Sequence, residues 1–324
     1  MGTIIKKKTG YEAQVARKGI RKTKTCRTKA EANMWIAETE KEILQGRHFI
    51  ADKTFGDLMN QYGRLVSPGK RGGPWELKRI GKINADQIAK VSLAELNQTH
   101  FAEWRDRRLR EVTAATVLRD WNLISHALTI AASEWKWLHD NPIKGVKRPK
   151  PPPHRTRRIT RDEIDRLLLA LGYSYTAKPE TATARVGASM LFAIETAMRA
   201  GEIVSLTWDN IDLERRVAHL PMTKNGFPRD VPLSGEAIRI LNQVMGETES
   251  VFNLRTSQID ALFRKAKARA LIDDLHYHDA RAEAITRLAA KVDILTLARI
   301  SGHRDLRQLQ IYYREGVEDI ARRL

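Results

Sequence analysis

The stretch Glu195-Thr-Ala-Met-Arg199-Ala-Gly-Glu202-Ile-Val-Ser-Leu206-Thr-Trp208-Asp-Asn-Ile211-Asp212 decides how the rest of the chain is read. Its apolar spacing predicts a helix over 186–206, with Arg199 and Glu202 three apart on one face. Alone, such a pair is compatible with a solvated ion pair worth about 0.3–0.5 kcal/mol. Two predicted strands follow, Val217–Pro221 and Arg229–Leu233. They are joined by Thr223-Lys-Asn-Gly-Phe227, in which Asn225-Gly226 is a strong hairpin signal. Further on stand His278-Asp-Ala-Arg281, Ile300-Ser-Gly-His303 and Gln310-Ile-Tyr312.

Arg199, Lys224, His278, Arg281, His303 and Tyr312 form a set able to break a phosphodiester bond without a metal ion. In-line attack places negative charge on the non-bridging oxygens, which guanidinium forks match bidentately. Tyrosine, ordinarily protonated near neutral pH, must lose its proton as it attacks. His278 is a candidate acceptor of that proton. The departing 5′-oxygen is strongly basic, and Lys224 on the hairpin is the candidate donor to it.

The composition fits a polyanionic partner. The formal net charge is +18 and the isoelectric point about 10.1, and the charge is clustered. Residues 1–30 carry ten Lys or Arg against the single acid Glu12, and residues 144–161 carry eight and no acid. Cys26 is the only cysteine, which excludes an intramolecular disulfide and a cysteine-based zinc site. No apolar run approaches a membrane span, and the start lacks the order of a signal peptide. The expected location is the cytoplasm, in association with the nucleoid.

Four regions are predicted. Residues 1–48 read as three short strands and a helix opening at Thr28, with Glu31 completing a capping box. The helical stripe Ala32, Ile36 and Ile43 would cover one sheet face. The other face and the turns would present Lys6, Lys7, Lys8, Arg17, Lys18, Arg21, Lys22 and Lys24 to DNA. Residues 52–143 read as helical, through Thr54–Leu65, Asn84–Ala89, Thr99–Arg110 and Thr113–His139. In this region Trp104, Trp121, Trp135 and Trp137 are core candidates, and Gly69, Gly72, Gly73 and Pro74 a flexible connection. Residues 144–159 read as an extended, proline-rich linker whose Lys147, Arg148, Lys150, Arg155, Arg157 and Arg158 would lie along a phosphate backbone. The fourth region, 160–324, opens with the capping box Thr160-Arg-Asp-Glu163. The fold class is mainly α and multidomain with small β elements, and the implied shape is a C-shaped clamp on DNA.

Taken jointly, the spaced motifs resemble the tyrosine recombinase family, also called phage or lambda-type integrases, over roughly 160–324. The stretch Glu195 to Ser234 is particularly similar to shufflon-type DNA invertases. The N-terminal sheet plus helix is similar to the arm-site DNA-binding domain of some integrases, and 52–143 to a core-binding domain. The resemblance makes Arg199 the first catalytic arginine, Glu202 an acidic buttress and Lys224 the hairpin lysine. It gives His278 and Arg281 to the His-x-x-Arg box, His303 to the second histidine and Tyr312 to the nucleophile. Tyr313 stands one place too far, where the family often has a small polar residue. Two departures occur: Ala280 replaces the usual Leu, expected to loosen packing beneath Arg281, and Ala282-Glu283 stands where a histidine is common.

The implied chemistry is cleavage and rejoining of double-stranded DNA through a 3′-phosphotyrosine. Four protomers on paired sites would pass through a four-way (Holliday) junction. No metal or ATP is required, because the ester bond energy is kept. The implied role is integration and excision of a phage or mobile element at core and arm attachment sites. A DNA-bending host factor and an excisionase would be accessory partners, and a membrane would not. The short tail after Tyr312 would dock on a neighbour through Val317 and Ile320. DNA inversion is the alternative within the family. A catalytically inactive DNA-binding regulator on the same scaffold is the alternative from another class. Metal catalysis by His276, His278 and His303 with Asp273, Asp274 and Asp279 lacks a complete ligand signature.

Overall fold

A computed structural model describes residues 2–17, 20–44, 53–153, 155, 157–222, 227–313 and 321. The chain divides into two compact units, residues 1–154 and 155–324.

The first unit begins with an antiparallel sheet of β1 (Gly2–Lys7), β2 (Gly10–Arg17) and β3 (Ile20–Cys26), with β2 central. Helix α1 (Lys29–Leu44) packs on it. The Glu31 amide donates to Thr28 Oγ1 at 3.1 Å, and the Glu31 carboxylate reaches back to the Arg27 amide at 3.0 Å. Ala13, Cys26 and Ala32 form a small buried core with Ile4, Tyr11, Trp35 and Ile36 around it.

Strand register corrects the expectation of a one-sided basic face. Lys6 pairs with Tyr11, Lys24 with Ala13 and Lys22 with Val15. Cross-strand partners share a face, so these lysines lie on the side that α1 covers, as does Arg17, 3.9 Å from Glu40 of α1. Lys7, which pairs with Glu12 at 3.1 Å, and Arg21, opposite Ala16, belong to the open face. Lys8 is exposed between β1 and β2, and Lys18 lies outside the described residues.

A separate helical core follows, built by α2 (Phe55–Leu65), α3 (Gly73–Asn84), α4 (Gln98–Glu111) and α5 (Ala114–Ser133). Thr54 caps α2 through a reciprocal box with Asp57. Trp104 and Trp121 are buried at its centre, and Trp135 and Trp137 pack at its margin. Three boundaries differ from the sequence reading. Helix α5 stops at Ser133, short of the expected His139, and Lys136 beyond it takes φ +57°. Gly73-Pro74 opens a helix instead of a flexible connection, because proline at the first turn loses no hydrogen bond and is pre-set in φ. Residues Gln87–Lys90 form a 3-10 turn, capped by Asp86, where Asn84–Ala89 was expected to be helical.

In the second unit α6 (Arg161–Leu171) carries the expected Thr160–Glu163 capping box. Helix α7 (Ala182–Thr196) is buried nearly all round, which marks it as the central element of the largest core. Strands β4 (Ile211–Asp212), β5 (Val217–Leu220) and β6 (Arg229–Pro232) form a second antiparallel sheet. The turn 223–226, with Lys224, lies outside the described residues. The short helix α8 (Ala200–Val204) precedes this sheet, and α9 (Gly235–Val244), α10 (Thr256–Arg269), α11 (His278–Ala289) and α12 (Ile294–Ser301) follow it. Val317 and Ile320, expected to dock on a neighbour, also lie outside the described residues.

The linker reading changes most. Val146 packs against the helical core, the Lys147 carbonyl accepts from Arg105 at 2.7 Å, and Arg148 donates to Asn122 at 2.6 Å. Lys147, Arg148 and Lys150 keep exposed side chains. Arg155, Arg157 and Arg158 belong to the second unit and are bound to its carboxylates, instead of repelling one another along an open strand.

Candidate active site

The site begins with a break in the chain. After α7 ends at Thr196, Ala197 takes φ +54°, and Arg199 becomes the N-cap of the short helix α8. The single helix expected over 186–206 is therefore two. Arg199 and Glu202 are a cap and its third helical residue: the Arg199 amide donates to Glu202 Oε2 at 2.8 Å and Nη1 to Oε1 at 2.9 Å. A left-handed alanine costs about 1–2 kcal/mol. It also turns a main-chain carbonyl out of the helix, and Arg281 Nη1 donates to it.

Arg281, on α11, is 3% exposed. Its Nη2 donates to the Ser301 carbonyl at 2.6 Å. Both acceptors are neutral carbonyls, so its charge is placed but not cancelled. Burial first, then the Arg199 charge, push its pKa down to about 9, against a smaller opposite pull from Glu202. It remains a cation at neutral pH. Ala280 beneath it is fully buried, and the two carbonyls hold the guanidinium.

Arg229 was missed by the sequence reading. It opens β6, its side chain 9% exposed, and grips both oxygens of Glu202 at 2.8 and 2.7 Å while its Nε donates to the Ile300 carbonyl at 3.1 Å. A signal was present: Arg229 alternates with the fully buried Val231, so period two turns it inward. Burial alone would raise the Glu202 carboxyl; the bonds from Arg229 and Arg199 outweigh it and hold it down to about 2.

His303 follows the end of α12. Gly302 closes that helix at φ +71°, and the His303 amide bonds back to the Ala298 carbonyl at 3.1 Å. Buried Ser301, also unforeseen, donates its hydroxyl to the Leu297 carbonyl at 2.6 Å and contacts His303 Nδ1 at 2.7 Å. With the hydroxyl proton on Leu297, Nδ1 of neutral His303 is the donor and Nε2 the open acceptor. Burial, then Arg281, Arg199, Arg229 and His278, press the imidazole down to about 4.

Tyr312 ends a 3-10 turn over Gln310–Tyr312 and is half-buried at the rim of the small core formed by Ala197, Ala284, Ile285 and Leu297. It lies within electrostatic reach of Arg281. Tyr313 is held elsewhere, its hydroxyl donating to the Val292 carbonyl at 3.0 Å. His278 is exposed at the start of α11, anchored by the neighbouring Tyr277, whose buried hydroxyl donates to Ser189 of α7 at 3.0 Å. Beside His278 and Arg281 opens a cavity of about 500 Å³ lined also by Phe263, Arg264 and Lys267.

Arg199, Glu202, His278, Arg281, His303 and Tyr312 are thus brought together, and Arg229 joins them. Three guanidinium groups face one carboxylate. Such a cluster is preorganised for an anion. Among the described residues no group of three or more His, Cys, Asp or Glu side chains is arranged to hold a metal ion, and no helix is long and apolar enough to cross a membrane.

Comparison with known proteins agrees with this geometry. The phage integrase family matches residues 157–318. A Haemophilus influenzae protein that carries the name integrase/recombinase is 44% identical over 97% of this chain and 87% of its own length. The shufflon-specific DNA recombinase of Escherichia coli is 36% identical over 78% of this chain and 67% of its own. Among solved structures, a lambda integrase dimer bound to a COC′ core site superposes with a TM-score of 0.68 at 17% identity, covering 97% of this chain and 96% of that one. Family match, relatives and fold agree: the chain belongs to the phage integrase family and is a site-specific DNA recombinase of the tyrosine recombinase type.

Proposed function

We propose that this recombinase cleaves double-stranded DNA by attack of Tyr312 on a backbone phosphate held between Arg199 and Arg281. The observation that carries the reading is the buried Arg281. Its charge is positioned by two carbonyls, lowered in pKa by burial and by Arg199, and set within reach of the Tyr312 phenol. The bond from Tyr312 Oη to phosphorus forms as the bond from phosphorus to the 5′-oxygen breaks. The phenolic proton passes to a histidine acceptor, His303 Nε2 or His278, and Lys224 supplies the proton to the leaving oxygen. The product is a 3′-phosphotyrosine with a free 5′-hydroxyl. The ester is conserved, so the 5′-hydroxyl of a second duplex reverses the step without a nucleotide or a metal.

Four protomers on two paired sites would exchange one strand pair, pass through a four-way junction and exchange the other. A lambda integrase tetramer has been solved on a Holliday junction, which supports this order of assembly. Residues 1–48 would take arm sites and 52–143 core sites, with a bending host factor and an excisionase steering direction. Integration and excision of a mobile element is the preferred role. Inversion is the second reading, favoured by the shufflon-specific relative.

A duplex nicked a few nucleotides to the 3′ side of the scissile phosphate releases the short fragment that carries the new 5′-hydroxyl, and so traps the covalent adduct. Wild type should trap; Tyr312→Phe should not, and Tyr313→Phe should. Equal trapping by Tyr312→Phe would move the nucleophile elsewhere. Plasmids with inverted sites on one molecule, or single sites on two, separate the roles: inversion with no intermolecular joining overturns integration.

A further inference from the structure

Helix α11 carries two sets of side chains. His278 and Arg281 face the reacting centre, while Asp279 and Glu283 stand one turn apart on a different side. At 100° per residue the two pairs are centred about 150° apart. Both acids are buried, with side-chain exposures of 5% and 3%. Their partners come from the start of the second unit. Arg155 grips Asp279 with Nε and Nη2, both at 2.9 Å, and reaches Asp274 with Nη1 at 2.7 Å. Arg158 grips Glu283 with Nε at 3.0 Å and Nη2 at 2.8 Å, and Arg287 adds a bond at 2.9 Å. Between them Arg157 is forked onto Glu163 of the α6 cap.

We infer that Arg155 and Arg158 are positioning residues, which clamp α11 from behind through Asp279 and Glu283 and so fix where Arg281 and His278 stand. The inference rests on the reading of Arg281 and His278 as catalytic. It reverses the role that charge alone gives this strap. A guanidinium whose Nε and Nη2 both sit on a buried carboxylate cannot leave for a phosphate without stranding that carboxylate. Glu283, of the Ala282-Glu283 pair that stands where a histidine is common in the family, is the acceptor that ties the strap to the catalytic helix.

The test uses the full-length protein and the nicked duplex, with single-turnover trapping and equilibrium affinity measured at several salt concentrations. For Arg158→Gln and Arg155→Gln, trapping should fall roughly ten- to a hundredfold, the penalty of an ångström-scale misplacement. Affinity should stay within about twofold, with an unchanged salt slope. Arg158→Gln added to Glu283→Gln should slow trapping no further, because Arg158 acts on α11 only through Glu283. Reduced affinity with a salt slope smaller by about one would make these residues phosphate contacts and overturn the inference. Additive losses, or wild-type trapping, would overturn it too. Should Arg158→Gln fail to fold, Arg158→Lys, which keeps one bond but not the fork, carries the same test: slower trapping at unchanged affinity supports the clamp, and unchanged trapping overturns it. Tyr312→Phe run alongside keeps the two readings apart. If it still traps, the catalytic assignment fails whatever the arginine variants do.

Discussion

Arg281 donates a hydrogen bond to the main-chain carbonyl of Ala197, the left-handed residue at which α7 stops. An intact helix would have committed that carbonyl to its own ladder. The break both frees the acceptor for Arg281 and swings Arg199 into a capping position, so one strained residue places both arginines.

Ala197→Val should therefore uncouple the pair. A β-branched residue is a poor fit to positive φ, and Ala197 is fully buried. A stability loss above about 2 kcal/mol and loss of covalent trapping are expected, by chemical denaturation and by the nicked duplex. Ala197→Gly, at ease at that φ, should trap within a few-fold of wild type. Normal trapping by the valine variant would show that the break is incidental.

Arg229→Ala should remove two of the bonds to Glu202 and leave a buried carboxylate with Arg199 alone. Breaking a buried pair from one side costs about 3–5 kcal/mol. Arg229→Ala should accordingly be less stable than Arg229→Ala combined with Glu202→Gln, in which the stranded charge is gone. Denaturant midpoints for the two variants decide the point, and equal midpoints would mean the carboxylate finds water instead.

Gly302→Ala should damage the same corner by another route. Gly302 adopts φ +71°, and a Cβ there would lie 2.9 Å from Arg229 Nη1 and 3.2 Å from its Cδ. Both the strained backbone and the displaced fork act against the substitution, at about 1–3 kcal/mol for the backbone part. His303 follows directly, so trapping should fall more steeply than stability. A variant with lowered stability and an unchanged single-turnover rate would separate the helix end from the chemistry.

Much of this was legible in the residues. Regular spacing announced the helices of 52–143, the Thr160 cap and the β5–β6 pair, since each depends on local patterning. The motif set singled out Arg199, Glu202, Arg281, His303 and Tyr312 before any geometry was known. The break at Ala197 was not legible, because its cause is a carbonyl required by Arg281, 84 positions away. The strap arginines were misread for the same reason: composition counts Arg155 and Arg158 as free cations, and the acids that bind them lie 124 and 125 positions along the chain. Arg229 had a readable alternation, but an arginine in a strand invites a surface reading until Glu202 is seen opposite.

Acid stability follows from Glu202. A carboxyl held at about 2 in the folded chain, against roughly 4.3 in an unfolded one, binds fewer protons folded than unfolded between those values. Stability from this group is then complete above about pH 5 and lost as pH falls through 2, on the order of 3 kcal/mol in all. Glu163, drawn down to about 2 chiefly by Arg157, adds to the fall over the same window. His303 acts in the same direction at higher pH: held at about 4 against about 6.5 unfolded, it resists protonation only in the folded state, so stability also drops from pH 6.5 towards 4. Denaturant titrations from pH 7 to 3 should show a two-stage decline in wild type. Glu202→Gln should flatten the lower stage, and His303→Gln the upper one. A lower stage that survives Glu202→Gln in full would mean that the Arg229–Glu202 fork is not what holds the folded state against acid.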